Sequence, residues 1–104
     1  MILSIKLVSG QEIMGRADGY LELHLLPKVV TLSKIKMLNP QMAPNGAIGF
    51  SLVPWMMSNP EGEIELDLRV VALAITKPEQ RIEDSYIQQT SDVKVVKNVL
   101  QLAH

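Results

Sequence analysis

The chain has 104 residues, 47% of them apolar and 20% charged, with a formal net charge of −1. This is the size of one domain, and such an even charge balance gives no global field for drawing in a polyanion. The lack of cysteine excludes disulfides and thiolate metal sites and suits a reducing compartment. No apolar run reaches the roughly 18 residues of a membrane span, and Met1-Ile-Leu-Ser-Ile-Lys6 has no secretory-leader pattern, so a cytoplasmic protein with no membrane partner is expected. The apolar share is more than a small domain can hide alone, and burial between subunits is the simplest outlet.

In chain order, Leu3, Ile5 and Leu7 alternate with Ser4 and Lys6, the period of a half-buried strand. Ser9-Gly10-Gln11 closes a turn, and Glu12 to Ala17 returns as a second strand broken by Asp18-Gly19. Tyr20 to Leu25 alternates again, with Leu21, Leu23 and Leu25 on one face, until Pro27 interrupts it. Val29 to Leu38 resumes the extended pattern, and Asn39 to Gly46, with two prolines and a closing Asn-Gly, predicts a long exposed loop. Ala47 to Ser58 is apolar on both faces, as in a strand covered on each side or lying at a subunit contact. Asn59-Pro-Glu-Gly62 reads as a turn, and Glu61, Glu63, Glu65 and Asp67 then alternate with Ile64, Leu66 and Leu68. Val70 to Ile75 has no polar face, which places it in the interior or across a subunit boundary. Pro78 followed by Glu79 opens a helix to about Thr90, with Ile82, Tyr86 and Gln89 on one face. Periodicity does not decide between helix, strand and coil for Val93 to Leu102.

Two glycines five residues apart, in Leu7-Val-Ser-Gly10-Gln-Glu-Ile-Met-Gly15, sit inside this strand-turn-strand pattern. Gly10 suits the positive φ of a tight turn, and Gly15 suits a sharp bend or close packing. The spacing resembles the opening motif of the Sm/Lsm family of small, strongly bent β-barrels. Asp18-Gly-Tyr20-Leu-Glu22-Leu resembles that family's Asp-x-aromatic-hydrophobic-Asn stretch, with Glu22 in the asparagine place. Leu66-Asp67-Leu-Arg69-Val-Val is similar to its second motif in hydrophobic frame, with Asp67-Leu68 where Arg-Gly would stand. Val53-Pro-Trp-Met-Met-Ser-Asn-Pro60 and Tyr86-Ile-Gln-Gln-Thr-Ser91 look like strings of the small Sm-like proteins of marine bacteriophages (cyanophages).

The resemblance implies an all-β, Sm-like, strongly bent five-stranded antiparallel barrel over residues 1–77, with a C-terminal helix and tail over 78–104 on the same domain. It also implies a homo-oligomeric ring, and single-stranded RNA or DNA as partner at pore-facing loops carrying Asp18, Tyr20, Glu22, Asp67 and Arg69. For a phage-encoded protein the location is the cytoplasm of a bacterial host. A ring that binds proteins and not nucleic acid is the alternative, supported by Glu22, Asp67 and the near-neutral charge.

Each candidate has a plainer reading. Tyr20 stacks on a base or simply packs. Arg69 meets phosphate or, the reading favoured here, pairs with Asp67 or Glu65. Lys28, Lys34 and Lys36 form a basic rim or guard strand edges. Phe50, Trp55, Met56 and Met57 form an interface, ordinary core, or some of both. The alternating acids of 61–67 lie on one wet strand face rather than opposed in a cleft, which argues against acid catalysis. Two isolated histidines offer no metal constellation, and no nucleophile or phosphate-loop motif is present. A non-catalytic protein is expected, without metal, cofactor or small-molecule substrate.

Overall fold

The structure, a computed structural model, describes residues 1–19, 22–59 and 61–91. Strands β1 (Ile2–Leu7) and β2 (Glu12–Arg16) form an antiparallel hairpin whose turn holds Gly10 at φ +96°. That backbone region strains any residue with a Cβ, so glycine is required there. Leu3, Ile5 and Leu7 all point into the main core, with Leu3 and Ile5 wholly buried. β2 is buried on both faces, sending Ile13 inward and Met14 to a second cluster on the opposite side.

Strand β3 (Val29–Met42) is 14 residues long and sharply bent. Its pairing with β2 changes register opposite Ser33–Lys36, and Lys34 takes φ 52° at the bend. Gly15 faces this kink, where a Cβ would lie 3.1 Å from Cβ of Leu32 and 3.4 Å from Cγ1 of Ile35. The missing side chain therefore lets the bent strand close onto β2.

Two further strands, β4 (Ile48–Pro54) and β5 (Ile64–Asp67), run consecutively along the same edge of β3. β4 pairs from Met42 back to Lys36, and β5 continues from Leu32 to Val29, so the two segments are separated on β3 by residues 33–35 alone. These two segments are one interrupted strand. One helical turn, α1 (Leu68–Val71), then carries the chain to β6 (Ala72–Thr76), which pairs with the far side of β1. The order β4-β3-β2-β1-β6, with β5 on β3, is a mainly antiparallel sheet bent around one core, and its six segments fill five strand positions. Leu66 of β5 joins Leu3, Ile5, Val30 and Leu32 inside.

Helix α2 (Gln80–Thr90) covers the outer face of the β2-β3-β4 half. Tyr86, wholly buried, packs with Met14, Leu52, Leu38, Phe50 and Ile82. Its hydroxyl donates to the carbonyl of Lys34 at 2.7 Å, inside the β3 bend. Arg16 lies 5.7 Å from the centre of the Tyr86 ring and donates to Oγ1 of Thr90 at 3.1 Å. Lys34 Nζ donates to the Thr90 carbonyl at 2.7 Å, satisfying an orphan acceptor at the helix C-terminus. Burial pushes the Tyr86 phenol up to about 12, because the charged form is disfavoured away from water.

Several local expectations are corrected. Leu23–Leu25 is a 3-10 turn instead of a strand, because Leu23 and Leu26, three apart, both pack on the core while Leu25 is exposed. The exposed loop shrinks to 43–47, since β3 extends to Met42 and pairs Pro40 with Phe50. β2 has already ended there, so the N–H that Pro40 lacks is not required on that side. Of the two places expected for the apolar run 70–75, the interior is excluded for Val70 and Leu73, which are about two-thirds exposed, and Val70 lies in α1. The reading of residues 93–102 falls outside the described residues.

Candidate nucleic-acid interface

Two chain segments converge at the β5-α1 corner. The backbone N–H of Leu68 donates to the carbonyl of Lys28 at 2.8 Å, and Asp67 pairs in register with Val29. Lys28, just before β3, and the turn of Asp67 and Arg69 after β5 thus form one ledge.

Asp67 caps α1, accepting from the N–H of Arg69 at 3.0 Å. The Arg69 side chain folds back on the same carboxylate, with Nε at 3.0 Å from Oδ1 and Nη2 at 2.8 Å from Oδ2. This two-point contact holds the Asp67 carboxyl below its ordinary range and raises the Arg69 guanidinium, hydrogen bonding being the main cause in both. The paired reading of Arg69 is the one the structure displays. An exposed pair of this kind is weak, and the guanidinium stays more than half exposed.

The other predicted residues are placed differently. Glu22 has an oxygen 3.2 Å from Nδ1 of His24, in the open. Asp18 lines a cleft of about 330 Å³ together with Arg16, Val29, Thr31, Ser33 and Glu63. Val29 connects the two places, lining that cleft and pairing with Asp67. Tyr20 lies outside the described residues. Sequence reasoning missed Arg16, Thr31, Ser33 and Glu63 as neighbours of Asp18. Their alternation on β3 and β2 gave the face, but the cross-strand register that unites them is set by the bend.

The three lysines do not form a shared rim. Lys34 is tied to the end of α2, and Lys36 is buried with its ammonium 3.6 Å from Glu61. Lys28 alone is exposed at the ledge, close enough for its charge to help lower Asp67. The apolar group around Trp55 also divides. Phe50 packs under α2, and Trp55 packs on the main core with Nε1 donating to Gln11 at 3.2 Å, while Met56 and Met57 are exposed.

Compared with known proteins, the chain matches no family model and no curated sequence. No helix among the described residues is long and apolar enough to cross a membrane.

Proposed function

We propose that this protein is a non-catalytic, Sm-like ring-forming module that works through the surface it creates by assembly. The observation that carries this reading is the pair of uncovered sheet margins. The outer edges of β4 and β5 on one side, and of β6 on the other, have no strand partner among the described residues. Apolar side chains stand exposed beside them at Ile48, Val70 and Leu73. A free edge flanked by exposed apolar groups is a template for another strand, and one left-hand and one right-hand margin per subunit suit a head-to-tail ring.

The ligand of such a ring is single-stranded RNA or DNA, met by loops carrying Asp18, Tyr20, Glu22, Asp67 and Arg69 repeated around a pore. The exposure of Arg69 and Lys28 supports this, since a phosphate competes readily with a weak surface pair. A specific observation favours a second reading, a phage scaffold or adaptor ring for proteins. Asp18 and Glu63 line one cleft, and Asp67 already occupies Arg69.

Light scattering gives the solution mass, and a monomer at micromolar concentration removes the ring. Filter binding of labelled oligonucleotides at two salt concentrations then separates the readings. A nucleic-acid ring loses affinity steeply with salt and in Arg69→Ala and Tyr20→Ala, whereas a scaffold ring retains no oligonucleotide at either salt.

A further inference from the structure

We infer that the two open margins fit one another through charge. On this account the acidic outer face of β5 in one copy docks on a shallow groove beside β6 in the next, where Lys6 receives it. This inference rests on the ring reading above.

β6 alternates over residues 74–76, beyond a register shift between Ala72 and Ala74. Ala74 and Thr76 face outward, paired with Lys6 and Ser4 of β1, while Ile75 opposite Ile5 packs toward the core. The outward residues of β6 are small, and with Ser4, Lys6 and Glu12 they line a groove of about 290 Å³. The Lys6 ammonium lines this groove, paired among the described residues with Glu12 at 3.6 Å, and both side chains are more than two-fifths exposed.

β5 presents the complementary face. Leu66 points inward, while Glu65 and the preceding Glu63 are exposed, and neither makes an ion pair among the described residues. The segments also match in length, four residues in β5 against five in β6. When a β6 edge pairs with a neighbour's β5 edge, outward residues meet outward residues. The carboxylates of Glu63 and Glu65 then fall beside Ala74 and Thr76, whose short side chains leave them room to reach Lys6. Exposed Leu73, at the register shift, gains apolar cover from the neighbour's Ile64. A one-residue slip would set Glu65 against Leu73 and Ile75, so the charges fix register as well as partner.

The test uses the full chain and the oligomer mass. Lys6→Glu and Glu65→Lys each remove the oligomer that the wild type forms. The double variant carrying both changes restores it, because complementarity returns with its sign reversed. Mixing the two single variants also restores it in a ring with an even number of subunits, since K6E and E65K subunits then alternate and every interface joins opposite charges. Glu12→Gln leaves assembly intact, which separates the intermolecular contact from the Lys6 to Glu12 pair. If the wild type assembles and both single variants assemble equally well, the charge lock is wrong and the ring stands. Loss of assembly in the singles without recovery in the double also overturns the lock, and a monomeric wild type removes ring and lock together.

Discussion

The two halves of the outer sheet surface carry the same backbone and opposite fates. Over β2, β4 and the C-terminal part of β3, Met14, Leu38, Phe50 and Leu52 are roofed by α2 through Tyr86 and Ile82. Over β5 and the N-terminal part of β3, Val29, Thr31, Glu63 and Glu65 remain open. The bend at Ser33–Ile35 divides them, and it is where residues 55–63 leave the sheet. The contrast teaches that the covered half holds the fold together, while the bare half keeps the polar and charged groups available for partners.

The largest expected effect lies in the covered half. Tyr86→Ala opens a cavity between α2 and the sheet and costs about 3–5 kcal/mol in denaturant unfolding. Tyr86→Phe keeps the volume and removes the hydroxyl's bonds to the carbonyls of Lys34 and Ser33, for about 1 kcal/mol. Equal losses in the two variants would break the claim that packing dominates the roof. Next comes the hinge between the halves: Gly15→Val drives methyls into Leu32 and Ile35 and costs roughly 1–3 kcal/mol in thermal or denaturant melts. A neutral result there would show that β3 can straighten.

Smaller is the alkaline response of the roof. A phenol raised to about 12 in the folded state, from an ordinary value near 10, contributes stability that is full below pH about 10. That contribution is lost as pH climbs through about 12. In Tyr20→Phe, which leaves Tyr86 as the sole tyrosine, phenolate absorbance rises near pH 12, and a midpoint near 10 would mean that α2 is not seated. The smallest effect belongs to the bare half. Arg69→Ala leaves the melting temperature unchanged within error, since both partners are solvent-exposed, and a clear fall would give the ledge a structural role.

Much of the strand pattern was legible because β1 and β5 alternate with one apolar face, and period 2 needs no partner to be read. Gly10 and Gly15 were legible for the same local reason, one needing positive φ and the other the absence of a Cβ. The Asp67 to Arg69 pair was legible too, its members being two residues apart. The group of Arg16, Thr31, Ser33 and Glu63 around Asp18 was not, because cross-strand neighbours depend on a register shift that no single strand encodes. Leu21 to Leu25 misled because alternating leucines also contain a three-residue spacing, and the core chose Leu23 and Leu26.

By itself the sequence determined an antiparallel, mainly β chain with a closing helix, since turn residues and hydrophobic period act through local backbone sterics. Only the tertiary structure decided that β4 and β5 are one strand interrupted by residues 55–63, that Lys34 and Lys36 are engaged elsewhere, and that α2 roofs one half of the sheet and leaves the other bare. Those outcomes depend on the bend at Lys34. A bend is a compromise between segments distant in the chain, and it exists only once they pack.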